Sequence, residues 1–347
     1  MATQQVFRLP QRSSINDLRA GTEPVPEPSS YEVLIRIRSV ALNYRDFAVA
    51  TGKYPFPVKH DVVPCSDLAG DVVKVGSQVT DLFTEGDKVI AIFDLATLYG
   101  AIKDWNHSLG GNLDGGLREY IALPAPALVK IPSDVSLGYP QLSALVCVGS
   151  TAWNALYGNI PLKPGQTVLF LGTGGVSIMG LILAKAAGAT TIITSSSDSK
   201  LKHVRETYGA DFTINYKSTT KWSEEVLKIT KGRGADYIFE NGGAGTIAES
   251  INAVAYGGSV AVIGFLASCP QDQMPDVAAL ALSKGAVVRG IMVGSRQHLE
   301  EVTRYVVERG LHIPVEKEFG FGQDDVVAAF QYLASGAHIG KVCINVS

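Results

Sequence analysis

The sequence predicts an α/β protein in which a doubly wound, six-stranded parallel sheet accompanies a separate β-rich domain. Two observations predict it. Between about residues 31 and 122, short alternating strands are separated by glycine turns, which is typical of a small β-rich domain. From residue 167 onwards, apolar strands alternate with helical patterns, as they do in a parallel sheet covered by helices on both faces.

Length, composition and charge restrict the function. A chain of 347 residues is long enough for about two domains, and 46% hydrophobic with 18% charged residues is ordinary for a globular protein. The net charge of −3 comes without a basic stripe, which argues against nucleic-acid binding. The first ten residues lack the apolar segment of a signal peptide, so we expect a cytoplasmic protein without membrane association.

Cysteine and histidine spacing predicts no metal site. The four cysteines are far apart and never form C-x-x-C, and the six histidines never form H-E-x-x-H. A disulfide framework is also not expected in a chain of this kind.

The elements of the β-rich domain, assigned to residues 1–130, follow in order. Predicted strands lie at 31–40, 68–76, 87–93 and 116–122, and the glycine-dense segment 110–116 is predicted to be a loop. One or two helices are expected within 136–157.

The second domain is assigned to residues 131–294. Its six strands are predicted at 167–171, 191–194, 212–214, 236–239, 259–263 and 286–292. Helices are expected between them at 176–187, 200–208, 223–230 and 246–254. The remainder, 295–347, is expected to form two helices and a strand that return to the first domain.

A glycine turn joins the first of these strands to its helix and predicts dinucleotide binding. There the backbone can approach a pyrophosphate, and the helix supplies amide donors. Ser177 stands where G-x-G-x-x-G has its third glycine, and its small side chain should permit close helix–strand packing. The predicted contacts are Gly172, Thr173, Gly174, Gly175 and Val176.

Cofactor choice is read at the end of the second strand. An Asp or Glu there would favour NAD, whereas this chain has Ser195 and Ser196, followed by Lys200. Hydroxyls and an ammonium suit a 2′-phosphate, so we expect NADP. Asp198 opposes this unless it turns away as a helix cap. The alternative is that the serines themselves only cap the helix.

Several blocks in order resemble the medium-chain dehydrogenase/reductase superfamily from about residue 32 to 346. They include Leu42-Asn-Tyr-Arg-Asp46, Glu85-Gly-Asp-Lys-Val89, Gly115-Gly-Leu-Arg-Glu-Tyr120, Gly209-Ala-Asp211 and His338-Ile-Gly-Lys-Val342. The resemblance implies a GroES-like catalytic domain, a Rossmann nucleotide-binding domain and, commonly, dimers formed through the last strand of the Rossmann sheet.

The resemblance also implies a branch of the superfamily that works without zinc. Positions that hold zinc in the metal-dependent members fall on Asn43, Ser66 and Cys147, and neutral oxygens are poor zinc ligands. The chain is more similar to quinone oxidoreductases and enoyl reductase domains.

Site residues follow from this resemblance. Tyr44 is the candidate proton donor, and Asp67 matches an acidic residue near the catalytic centre. Asn43 and Lys341 are expected near the nicotinamide or its ribose, and Tyr216 near the adenosine. The remaining expected cofactor contacts are Thr151, Asn241, Gly264, Phe265, Leu266, Met292, Val293 and Gly294.

The sequence therefore predicts an NADPH-dependent reductase of an activated double bond or a quinone. Charge that develops in such substrates spreads into an enolate or quinol anion, for which hydrogen-bond donors can replace a metal. The alternatives are a metal-free alcohol dehydrogenase or carbonyl reductase and, outside enzymes, a non-catalytic NADPH-binding protein. The sequence does not identify the substrate.

Overall fold

A computed structural model describes residues 2–346, which divide into two compact units. One unit contains the chain up to Ser150 together with the segment from Val293 onwards, and the other extends from Thr151 to Met292. Residues 131–150, which the sequence pattern assigns to the nucleotide-binding domain, belong to the first unit. The boundary falls inside a continuous helix, which no turn residue marks in the sequence.

The N-terminal half contributes mainly strands to the first unit. They are β1 Thr3–Arg8, β2 Arg19–Pro24, β3 Glu32–Leu42, β4 Asp67–Val75, β5 Lys88–Ala91, β6 Tyr120–Pro124 and β7 Leu128–Lys130. Helix α1 spans Tyr44–Ala50, and helix α2, Tyr139–Tyr157, carries the boundary between the units. Strand β3 pairs antiparallel with β4 and β6, and α1 follows it directly in the chain. Helix α1 therefore begins at the end of a central strand.

The second unit alternates strands and helices. Its strands are β8 Thr167–Phe170, β9 Thr190–Ser195, β10 Phe212–Asn215, β11 Ala235–Glu240, β12 Val254–Val262 and β13 Val287–Gly290. Its helices are α3 Gly175–Ala186, α4 Asp198–Tyr208, α5 Trp222–Ile229, α6 Ile247–Ala253 and α7 Val277–Lys284.

The six strands of this unit form one parallel sheet in the order β10-β9-β8-β11-β12-β13. From β8 the chain builds β9 and β10 on one side and β11 to β13 on the other, so the strand order reverses between the neighbours β8 and β11. In such sheets, ligands bind at the carboxyl ends of the strands beside that point. Buried residues such as Leu169, Ile192 and Ile238 form its core. The predicted fold class is confirmed.

The C-terminal segment completes the sheet of the first unit. It contains α8 Arg296–Glu308, β14 Val315–Phe319, α9 Gln323–Ala334 and β15 Lys341–Asn345. β15 pairs antiparallel with β3, and β14 pairs parallel with β15. Strand β14 was not predicted, because its sequence VEKEF is charged and its side chains are largely exposed.

The long uncharged stretch around the glycine turn is divided between β8 and α3. Among residues 2–346, no helix has the length and apolar character needed to cross a membrane.

Candidate functional site

The glycine turn at the end of β8 forms an open cradle. Gly172 has a φ of +77°, a conformation that favours glycine, and its N–H donates to the Thr194 hydroxyl at 3.2 Å. A Cβ built on Gly172 or Gly174 meets no heavy atom within 4 Å, so the space beside the turn is open. Gly174 is the N-cap of α3, whose first amides point towards that space. These features fit the pyrophosphate of a dinucleotide.

Ser177 joins this turn to the loop after β11. Its Oγ donates to the Leu171 carbonyl at 2.8 Å, while the Asn241 amide donates to the same carbonyl and to Ser177 Oγ, both at 2.9 Å. Ser177 is therefore a linking residue at the point where the strand order reverses. Through Ser177 and the Leu171 carbonyl, the predicted contact Asn241 lies beside the turn that carries the predicted contact Gly172.

Close helix–strand packing occurs one turn later than the motif suggests. A Cβ on Gly180 would lie 2.7 Å from ring carbons of both Phe170 and Phe239. Those two rings are packed at 4.8 Å between centroids. Position 180 is therefore the one that demands glycine, and the sequence motif does not contain it.

Glu240, at the end of β11, organises the loop that carries Asn241. Its carboxylate is fully buried and accepts from the amides of Gly242 at 2.7 Å and Gly243 at 2.9 Å. The hydroxyls of Thr246 and Ser250 also donate to it. We did not predict this residue, although an acid that ends an apolar strand before two glycines is a recognisable signal.

The loop after β12 lies against the same segment. The Leu266 amide donates to the Asn241 carbonyl at 3.2 Å, and a Cβ on Gly264 would lie 2.5 Å from that carbonyl oxygen. Phe265 and Leu266 have exposed side chains. Predicted cofactor residues from two loops are thus adjacent at the carboxyl edge of the sheet.

At the end of β9, the structure gives each polar residue a distinct role. Ser195 is buried, and its carbonyl accepts from the Tyr216 amide at 3.1 Å. Ser197 caps α4 by accepting from the Lys200 amide at 3.4 Å. Asp198 is not the cap, because it lies in the first turn of the helix and accepts from Asn215 at 2.7 Å. Ser196 and Lys200 are half-buried.

The other predicted cofactor residues lie near the boundary of the units in the chain. Thr151 is buried in α2 and Met292 follows β13. Val293 has a φ of +50°, which is strained for a β-branched residue. Such strain often marks a functional position.

A buried charge cluster lies at the start of α1, in the first unit. The Lys341 ammonium donates to the Leu42 carbonyl at 2.8 Å, to Asn43 Oδ1 at 2.7 Å and to Asp67 Oδ2 at 3.3 Å. Asp67 is fully buried, and its carboxylate also accepts from Ser66 Oγ at 2.7 Å and from the Cys147 amide at 3.2 Å. The predicted residues Asn43, Asp67 and Lys341 are therefore linked directly.

The remaining residues of this helix differ sharply in exposure. The Tyr44 side chain is 44% exposed, and its ring centroid lies 5.8 Å from that of Phe47. Asp46 is fully buried, and its carboxylate accepts from the backbone N–H of Asn43 at 2.8 Å. Burial raises the pKa of Asp46 to about 6, although the Arg45 charge acts in the opposite direction.

The donor set at the implied zinc positions does not fit zinc. Asn43 Oδ1 accepts from an ammonium, and the Ser66 hydroxyl donates to Asp67. Across the described part of the chain, no three His, Cys, Asp or Glu residues are grouped as metal ligands would be.

Comparisons with known proteins identify two matching families. The family described as "Alcohol dehydrogenase GroES-like domain" matches residues 29–133, and the one described as "Zinc-binding dehydrogenase" matches residues 175–308. A zinc-type alcohol dehydrogenase-like protein of Schizosaccharomyces pombe is 40% identical over 342 residues, which cover 96% of each chain. The crystal structure of a putative alcohol dehydrogenase from Sinorhizobium meliloti superposes with a TM-score of 0.89 at 36% identity, covering 100% of both chains.

Two further relatives have names that refer to other reactions. A quinone oxidoreductase-like protein 2 homolog of Nematostella vectensis is 30% identical, covering 90% of this chain and 81% of the relative. An acryloyl-coenzyme A reductase of Sulfurisphaera tokodaii is 32% identical, covering 70% of this chain and 71% of the relative.

Proposed function

Because the chain belongs to the medium-chain dehydrogenase/reductase superfamily of nicotinamide-dependent oxidoreductases, we propose that it is a zinc-independent, NADPH-dependent reductase. Its proposed substrates are small molecules with an activated double bond, as in an enone or enoyl thioester, or quinones. The observation that carries this proposal is the cluster at the start of α1, where the Lys341 ammonium donates to Asn43 Oδ1 at 2.7 Å and so occupies the oxygen at an implied zinc position.

We propose that the dinucleotide binds along the carboxyl edge of the parallel sheet. The open space beside Gly172 and Gly174 suits the pyrophosphate, and the loops after β11 and β12 would hold the nicotinamide half through Asn241 and Gly264–Leu266. Thr151 and Met292–Gly294 remain proposed contacts. The bound nicotinamide would supply the hydride, and the protein supplies orientation and electrostatics.

NADP preference is supported by the groups at the end of β9. The last residue of that strand is not acidic, and the nearby Asp198 accepts a hydrogen bond from the Asn215 side chain. Lys200 lies in the first turn of α4, where the helix dipole disfavours a cation. An anionic 2′-phosphate bound beside Lys200 would offset the unfavourable interaction of its charge with the helix dipole. Ser195, Ser196 and Tyr216 are proposed to complete the adenosine site.

Tyr44 is proposed as the proton source on the substrate side. Its side chain is partly exposed, the residue begins the helix that Asn43 caps, and we propose that the substrate binds at this end of the helix. After hydride addition to a conjugated carbonyl, the enolate carbon needs a proton, which a phenol or water can supply. Asp67 would act indirectly, because its oxygens are engaged by neighbouring groups.

An alcohol dehydrogenase or carbonyl reductase without metal is the second candidate. The dehydrogenase activity, but not the absence of metal, is supported by the name of the 40% identical relative, which is described as zinc-type. A binding protein without turnover is the third. NADPH oxidation measured with a panel of enones, quinones and aldehydes separates these functions, and elemental analysis checks zinc independence. No turnover of any conjugated substrate, or one tightly bound zinc per chain, would contradict the proposal.

A homodimer is proposed through the edge of the parallel sheet. Strand β13 is an edge strand, and the adjacent helix α7 is apolar but has no buried residue. Leu282 is 84% exposed and Tyr256 is 79% exposed. An unpaired edge beside an apolar surface favours pairing with a second copy. Sedimentation should show a dimer for the wild type and a monomer for Leu282→Glu; a wild-type monomer would contradict this.

A further inference from the structure

The Lys341 ammonium is saturated inside the first unit. An ammonium has three donors and no acceptor. All three are used by Leu42 O, Asn43 Oδ1 and Asp67 Oδ2, and the side chain is only 3% exposed. A direct bond from Lys341 to a ribose would require one of these bonds to break. The geometry therefore favours a role through its protein partners.

The ammonium fixes the orientation of the Asn43 carboxamide. Since a cation can only donate, the amide must turn its oxygen towards Lys341 and its Nδ2 group away from it. That nitrogen is buried and has no hydrogen-bond partner among the described residues. A buried donor without a partner is unfavourable, so binding of a ligand that brings an acceptor is favoured.

We propose that Asn43 Nδ2 donates to the carbonyl oxygen of the substrate, and that Lys341 is the positioning residue that orients this amide. Asp67 holds the ammonium and is itself held by Ser66 and the Cys147 amide. A cation bonded to Oδ1 also polarises the amide and strengthens its N–H as a donor. The inference rests on the proposed function, in which that oxygen gains negative charge. It moves Asn43 and Lys341 from the cofactor, where resemblance assigns them, to the substrate.

The substrate is favoured over the cofactor because of Tyr44. This residue follows Asn43 directly and has a partly exposed side chain. We place the enolate at this end of α1, with its carbon towards the Tyr44 phenol and its oxygen towards the Asn43 carboxamide. Donors prearranged for a developing oxyanion are among the largest contributions to catalysis of this kind.

Three variants separate orientation from charge. Asn43→Asp keeps an acceptor for the ammonium but has no amide N–H. The double variant Lys341→Met with Asp67→Asn removes both charges, so that neither is left buried alone, and it removes the cation that holds and polarises the Asn43 carboxamide. Lys341→Arg keeps a cationic donor. Urea unfolding and NADPH titration of each protein check that the fold and the cofactor site persist.

We expect the first two variants to lower kcat for an enone by about 10²- to 10³-fold, as expected for loss of one oxyanion donor. A protein that carries Asn43→Asp, Lys341→Met and Asp67→Asn together should have no lower kcat than either of these variants. Lys341→Arg should keep part of the wild-type kcat. The NADPH Kd of every variant should change less than about threefold. Independent, multiplying losses would overturn the inference. So would an unchanged kcat in the double variant, or a loss confined to NADPH affinity.

A second measurement does not depend on turnover. 4-Nitrophenolate is a planar oxyanion with a visible absorbance, and it should bind the wild-type protein saturated with NADP⁺. Asn43→Asp and the Lys341/Asp67 double variant should weaken this binding equally. Phenolate binding without turnover of any enone would sink the proposed reaction and leave the oriented amide standing. Phenolate binding that is insensitive to these substitutions would overturn the inference.

Discussion

Asp46 should make the first unit less stable as the pH rises towards neutrality. Burial raises its pKa from 3.8 to about 6, so the folded protein holds this proton more tightly than the unfolded chain does. Linkage then predicts that wild-type stability falls as pH rises between those two values. Asp46→Asn removes this pH dependence. It keeps an acceptor for the backbone N–H of Asn43, which lies 2.8 Å from the carboxylate.

The magnitude follows from the two pKa values. Each unit of difference corresponds to about 1.4 kcal/mol. Integrated between pH 4.5 and 7.5, the stability of Asp46→Asn relative to wild type should increase by about 2 kcal/mol. Any constant cost of the amide cancels, because the same pair of proteins is compared at both pH values.

Urea unfolding should be followed in the first unit, which contains Asp46 and Trp105. Replacing Trp153 and Trp222, which lie in the second unit, with Phe leaves Trp105 as the fluorophore.

Asp114→Asn serves as a control that lacks this pH dependence. Although burial acts to raise its pKa, hydrogen bonds from Lys59 and the Val63 amide hold the pKa of Asp114 below its ordinary value. Its stabilisation is present above the unfolded pKa and is lost as pH falls through the folded one. That stabilisation is already complete at pH 4.5, so the destabilisation by Asp114→Asn should stay nearly constant between pH 4.5 and 7.5 and shrink only below about pH 4. A stability difference for Asp46→Asn that is constant with pH, or that increases towards acid, would refute the reasoning.

Three further predictions concern the second unit and the proposed proton donor. Lys200→Ala should weaken NADPH binding by roughly 10- to 150-fold, from about 1.5–3 kcal/mol for a charge-assisted contact, and barely change NADH binding; equal losses in fluorescence titrations would refute a 2′-phosphate site. Gly180→Ala, whose Cβ would lie 2.7 Å from two rings, should destabilise the second unit by about 1–3 kcal/mol in urea unfolding, whereas Gly290→Ala, which meets no atom within 4 Å, should not. Equal effects of the two would contradict the packing argument. Tyr44→Phe should slow enone reduction or scramble the stereochemistry of protonation without changing NADPH affinity, and an unchanged rate and product would exclude it as the acid.

The sequence predicted the parallel sheet well because its central strands are buried on both faces. Such strands are continuous apolar runs, as at Thr167–Phe170, and the turns between them carry glycines. Two of the missed elements, α7 and β14, lie at the surface. In helix α7 the sequence VAALALSK has no polar face to give a helical period, and strand β14 is too charged to resemble a buried strand.

The sequence predicted individual residues of the candidate site, but it did not predict the hydrogen bonds and packing contacts between them. Lys341 and Asp67 are 274 residues apart in the chain, and no local pattern indicates that they form a buried ion pair. The role of Gly180 likewise depends on two rings, Phe170 and Phe239, that only the folded sheet brings to it. Resemblance placed Asn43, Asp67 and Lys341 near the chemistry; the hydrogen bonds among them required the structure.

The most direct test of the proposed function is the destination of the transferred hydride. The protein would be incubated with an enone and NADPH that carries deuterium at the transferred position, and the product analysed by NMR. Reduction of the conjugated double bond predicts deuterium at the β-carbon, and a parallel reaction in D₂O predicts solvent deuterium at the α-carbon. Deuterium at the carbonyl carbon, giving an allylic alcohol, would contradict the account and identify a carbonyl reductase.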